Sequence, residues 1–246
     1  MIETISICSI VLIFILGIRG LFLIYKNRNF IKDIFGLYFL KFIPKLIFIF
    51  ILVKVLFFTI TYINIIYDYI EIITISHFKF VFFQIPNFLS TVILEEFVFR
   101  VLLFASLIHY IKNNIYLILF TSLLFSFYHF PNEVILFISY FIAGIMYGYA
   151  FVKYQSILVP IGIHFSWNFV QGAVFGYPVS GEVSDGLLSL TIIPNIFFNG
   201  GSHGPEGSIA GILMRLVIIL VILAFPTPKE NKYFLKFPKS EKEWSM

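Results

Sequence analysis

Two adjacent carboxylates and an arginine, Glu95, Glu96 and Arg100, lie inside an otherwise apolar run from Val81 to Leu107. In hydrocarbon an ionised side chain costs at least about 2.5–3.5 kcal/mol on insertion scales, so these three need partners inside the protein. Successive helix residues are rotated by about 100°, so the two glutamates cannot face one point. Glu96 and Arg100, at i and i+4, are helix neighbours in the favourable acid-before-base order. The two carboxylates therefore divide: Glu96 with Arg100 forms an internal ion pair, and Glu95 is left to face a cavity as a general base. The competing reading makes all three one neutralising cluster without chemistry.

Two further groups of polar residues sit on other apolar segments. Phe125 and His129 share a helix face one turn apart, with His129 at the end of its segment. A histidine there is also a common helix cap. His164 and Asn168, again i and i+4, present an imidazole and an amide from one face of the run after Pro160. One such pair is an ordinary interhelical hydrogen-bonding device in a membrane, worth about 0.6 kcal/mol on average. A glutamate pair, a histidine and a His/Asn face on three separate segments are less easily unrelated. Ser126 and Ser166 lack a nucleophile elbow, no aspartate lies in an apolar run, and neither HExxH nor a thiolate cluster is present. His77 and His109 fall in connections. Lys45, Lys54 and Arg215 read as snorkelling or paired.

The elements that must hold these residues are transmembrane helices. Hydrophobic residues make up 60% of the 246, charged residues only 12%, and mean hydropathy is +0.98. A soluble domain has roughly 25% charged residues. The apolar runs reach the length of a spanning helix and lack the alternation of barrel strands. The expected fold is an all-α, polytopic helix bundle with about seven (six to eight) spans, near 5–25, 42–67, 81–108, 115–130, 133–152, 156–176 and 209–225. Residues 1–80 form N-terminal transmembrane helices, 81–225 the helix core that carries the polar residues, and 226–246 a basic surface tail. Asn113-Asn114 and Pro131-Asn132 separate spans, and 176–207 is a polar connection rich in Gly, Ser, Pro and Asn.

The net charge of +4 comes from lysines and arginines in connections and the tail, where anionic headgroups and the positive-inside rule account for them without nucleic acid. With seven spans, that asymmetry puts the basic connections and the C-terminus in the cytoplasm. The first run, Ile5 to Tyr25, has no basic n-region and no small-residue cleavage site, and reads as a retained helix. Cys8 is the single cysteine, which excludes an intrachain disulfide and any multi-cysteine metal site. A proton or ion translocator would need a file of polar residues, and the other spans offer little beyond Lys54, Thr59, Thr61 and Asn64.

The ordered set EExxxR (Glu95, Glu96, Arg100), FxxxH (Phe125, His129) and HxxxN (His164, Asn168) resembles the CPBP family of intramembrane proteases, the CAAX-processing and bacteriocin-processing or Abi family. The resemblance covers residues 90–172, and Gly200 to Ser208 is similar to a glycine-rich stretch often found downstream in members. It implies an endopeptidase of the cell membrane, multi-pass, acting on a membrane-associated protein or peptide. Lipidated proteins and bacteriocin-like precursors are among the substrates it allows. By it, Glu95 activates water, His129 holds and orients that water, and His164 and Asn168 stabilise the oxyanion. Family members are commonly labelled metalloproteases, so zinc on Glu95, His129 and His164 and a metal-free mechanism both stand. The alternative class is a non-catalytic membrane immunity or scaffold protein in which the polar cluster is structural.

Overall fold

The computed structural model describes residues 2–26 and 41–226. Arg28, Lys32 and all of the expected basic tail beyond Pro226 lie outside the described residues. The chain runs as α1 (Ile2–Lys26), α2 (Ile43–Ile66), β1 (Ile70–Ile75) and α3 (Lys79–Glu96), then on through a π-helical turn (Phe97–Leu102) into α4 (Leu103–Leu107). There follow α5 (Asn114–Tyr128), α6 (Val134–Tyr154), α7 (Leu158–Phe169) with a second π-helical turn (Val170–Val174), β2 (Leu188–Ile192), 3-10 turns (Gly201–Gly207) and α8 (Ile209–Ala224).

Local chemistry sets the ends. Pro44 opens the first turn of α2, where its missing N–H costs nothing. The Asn113 side chain accepts from Ile115 N at 2.8 Å and caps α5. Ser208 does the same for α8 through Gly211 N at 3.0 Å. Gln155 closes α6 in the left-handed region.

Four helical segments, Ile2–Lys26, Ile43–Ile66, Val134–Tyr154 and Gly201–Ala224, are long and apolar enough to cross a membrane, and Asn114–Tyr128 is apolar but shorter. Their outward faces carry large exposed apolar side chains such as Phe14, Phe58 and Leu220, the surface a lipid environment calls for. This is a mostly helical membrane protein, but it is not purely α. The stretch between the second and third expected spans and the polar connection 176–207 contribute β1 and β2, an antiparallel pair with Glu71 opposite Thr191 and a bulge between Ile72 and Thr74.

In the bundle, α7 packs against α2, α3 and α6, while α6 also packs against α5 and α8. Most of α7 is buried, with Ile163 and Trp167 fully enclosed. Close approach of α6 to α5 depends on Gly144, where a Cβ would stand 2.8 Å from Ser122 Cα, a small-residue contact of the kind that joins membrane helices. The polar groups of α2 serve packing as well. Thr61 Oγ1 meets Tyr177 Oη at 3.1 Å, Asn64 Nδ2 donates to Ile60 O, and Asn64 Oδ1 accepts from Asn199 Nδ2 at 2.9 Å. Thr59 bonds its own helix.

Candidate active site

Both helices that carry the paired motifs widen into a π-turn at the polar residues: α3 immediately after Glu96, and α7 immediately after Phe169. Such turns interrupt α-helices at local cost and recur at functional sites. Just before these turns, side chains of α3 and α7 meet across the packed interior.

Glu96 is fully buried, and its two oxygens have different partners. Oε2 is 3.1 Å from Arg100 Nε, and Oε1 is 2.9 Å from His164 Nδ1. The expected i,i+4 pair is present, but Glu96 also touches the imidazole of α7, a contact that helix phase could not reveal. A carboxylate only accepts, so the Nδ1–H of His164 donates. Arg100 donates from Nη2 to Gly144 O at 3.3 Å and lies over the rings of Phe125 and Tyr147 at 5.0 and 5.5 Å. Its charge is thus held by a carboxylate, a carbonyl and aromatic faces.

Glu95 is arranged differently. Its Oε2 is 3.8 Å from His164 Nε2 and 4.0 Å from His129 Nε2, and this buried oxygen has no hydrogen-bond partner among the described residues. These spacings are too long for direct hydrogen bonds and suit an intervening water. His129 is fixed from its other nitrogen, Nδ1–H donating to Phe125 O at 2.8 Å, and its ring stacks on Tyr140 at 4.4 Å. His164 stacks likewise on Tyr147 at 4.3 Å. The Asn168 amide lies 3.2 Å from His164 Nε2. Four side chains from three helices, Glu95, His129, His164 and Asn168, therefore meet around one point. Glu95, His129 and Asn168 line a cavity of about 400 Å³.

The ring orientations suit metal ligation, since each imidazole is tied down at Nδ1 and turns Nε2 inward. The spacing does not. Ligands on a tetrahedral zinc with bonds of about 2.0–2.1 Å stand about 3.3–3.4 Å apart, against 3.8 and 4.0 Å here, and the Asn168 amide already faces Nε2 of His164. Among the described residues no group of three or more His, Cys, Asp or Glu side chains is arranged to hold a metal ion. The cluster as it stands does not fit zinc.

The opposite wall of the cavity comes from residues that the sequence reading left aside. Val179 and Glu182 exchange hydrogen bonds at 2.9 Å around a two-residue turn with Ser180 and Gly181 at positive φ, a tight hairpin turn in which glycine suits the second position. Ser180 N donates to Glu206 Oε2 at 2.7 Å, and Glu206 Oε1 is 2.9 Å from Arg215 Nη2. Arg215 also bonds Ser139 and lies 4.3 Å over Trp167. A second buried acid–arginine pair thus anchors the turn over the cavity. Its signal in the sequence was the mid-span Arg215, which like Arg100 requires a partner. Ser126 and Ser166 donate to the carbonyls of Phe137 and Gly162, so both hydroxyls serve helix packing.

The helical domain thus gathers a carboxylate, two imidazoles and an amide at one internal cavity. Residues 77–170 match the family model described as Rce1-like, type II CAAX prenyl endopeptidase Rce1-like. That segment contains all three motifs, and it is there that the chain is similar to the CAAX-processing proteases. No curated protein and no solved structure matches the chain.

Proposed function

We propose that this protein is a multi-pass endopeptidase of the cell membrane, with a catalytic core over 81–225, that hydrolyses a peptide bond of a membrane-associated protein or peptide using water activated by Glu95. The carrying observation is the buried, unpartnered Oε2 of Glu95 facing the Nε2 atoms of His129 and His164 from 4.0 and 3.8 Å. Water between them hydrogen-bonds His129 and gives its proton to Glu95 as its oxygen attacks the substrate carbonyl carbon. The oxyanion is held by Asn168 Nδ2 and by His164, whose ring the Glu96 carboxylate orients through Nδ1. Collapse breaks the C–N bond and returns the proton from Glu95 to the leaving amine. Loss of one oxyanion donor in comparable sites lowers kcat by about 10²–10³, the effect expected for Asn168→Ala. In this reading all seven helical runs, 2–26, 43–66, 79–107, 114–128, 134–154, 158–174 and 209–224, cross the membrane.

The test is cleavage by purified protein of a peptide library in detergent. Glu95→Gln, His129→Ala and His164→Ala should each abolish cleavage, with Glu95→Gln melting like the parent. Normal cleavage by Glu95→Gln would overturn the mechanism. A scaffold or immunity protein would use every member of the cluster as a bond between helices. Against that alternative, Glu95 makes no contact shorter than 3.8 Å with either histidine.

A further inference from the structure

Next to the 400 Å³ cavity at Glu95 lies a second one of about 500 Å³, and four residues, Gln84, Val183, Ser184 and Asp185, line both. The outer cavity is walled by Thr74 and Ser76 at the end of β1 and by Leu188 to Leu190 of β2. The strap between the cavities is tethered at both ends. On one side Gln171 Nε2 holds Pro178 O at 2.5 Å and Glu206 holds Ser180. On the other, Leu187 N donates to Ala173 O at 2.8 Å and Leu187 O accepts from Ser76 N at 2.7 Å. Its middle is free of such ties, and Val183 is 89% exposed.

From this arrangement we infer that the two cavities are one cleft, which binds the substrate as an extended polypeptide, the outer part accepting a cationic side chain on one flank of the scissile bond. The inference rests on the protease reading above and adds a substrate class to it. The length of the cleft follows from α3, which runs along it: Gln84 lies eleven residues before Glu95, about 16 Å at ~1.5 Å per residue. An extended chain covers that distance in about five residues at ~3.3 Å each.

The lining supplies the charge preference. Asp185 is shared by both cavities, Glu182 and Glu95 belong to the inner one, and neither cavity is lined by a lysine or arginine. The nearest cation along α3, Lys79, sits 5.6 Å over the Phe80 ring and lines neither. Thr74, Ser76, Gln84, Ser184 and Ser189 provide neutral hydrogen-bonding groups, which suit a peptide rather than an acyl chain.

The test measures binding apart from cleavage. Full-length Glu95→Gln protein in detergent is titrated with fluorescein-labelled neutral Leu/Ser peptides of about twelve residues carrying one lysine, or one glutamate, at each position in turn. Lysine at one position should bind at least about tenfold tighter than glutamate there, close to 1.4 kcal/mol. Adding Glu182→Gln and Asp185→Asn should bring that ratio near unity, and Asp185→Lys should reverse it. Equal binding of the two series, or a preference that survives neutralisation, would overturn the inference. The same peptides are offered to the parent enzyme: charge-selective binding with no cleavage would sink the protease reading and leave the cleft standing.

Discussion

Glu95 and Glu96 are adjacent in sequence, yet their surroundings differ enough that mutations should separate them. Glu96 is wholly enclosed between Arg100 and His164, so Glu96→Ala leaves a buried guanidinium unpaired and should cost about 3–5 kcal/mol. Its variant should melt early and lose cleavage together, whereas Glu95→Gln should lose cleavage alone. Thermal unfolding followed by intrinsic fluorescence, beside the peptide assay, reads both. A second expectation concerns metal. Because the donors around Glu95 stand too far apart for zinc, cleavage should survive prolonged incubation with EDTA or phenanthroline, and loss restored by added zinc would overturn the metal-free mechanism. The Glu96–Arg100 pair was legible because i,i+4 is a local relation. The Glu96–His164 bond was not, since it spans 68 residues and depends on how α3 and α7 pack.

The helices repeat this contrast between local and distant information. Asn113 and Pro131 marked the ends of α5 because capping and chain-breaking are properties of a few neighbouring residues. Neither π-turn announced itself, since Phe97–Leu102 and Val170–Val174 are apolar runs like their surroundings, and the extra width follows from what the side chains meet. The anchor at Glu206 was hidden for another reason: its partners Ser180 and Arg215 lie on either side of it, across a stretch that reads as a polar connection. Glu206→Ala should cost about 3–5 kcal/mol by isolating the buried Arg215, and hydrogen exchange of the Ser180 amide should quicken as the turn loses its acceptor. The double variant Glu206→Gln/Arg215→Met removes both charges yet keeps a side-chain oxygen for Ser180. It should recover most of the stability and slow the Ser180 amide again. Fast exchange in the double variant would mean that the charge, rather than the acceptor, holds the turn.

At the scale of the whole bundle, β1 and β2 wall the outer cavity and join the segment before α3 to the segment before α8. The sequence did not disclose them, because Ile70–Ile75 and Leu188–Ile192 are short runs, each without a partner nearby, and a two-stranded sheet is marginal by itself. Here it gains support from the helices: Leu187 N, just before β2, donates to Ala173 O in the π-turn after α7, and Tyr69 N, just before β1, donates to Asn64 O of α2, both at 2.8 Å. If the sheet is a fixed frame, substrate enters the cleft without parting the strands, and a covalent bond between them should be tolerated. Glu71 and Thr191 are direct partners, at a Cα separation of about 4.5–5.5 Å for antiparallel pairs, within the range a disulfide accepts. Glu71→Cys with Thr191→Cys, in a chain where Cys8→Ser removes the native thiol, should therefore oxidise readily. Closing so long a loop stabilises by about 4–5 kcal/mol in the chain-entropy account. Cleavage by the oxidised and reduced forms should agree within about twofold, a difference under 0.5 kcal/mol in barrier. Activity that disappears on oxidation and returns with reductant would show instead that the strands must separate, making the sheet the gate of the cleft rather than its frame.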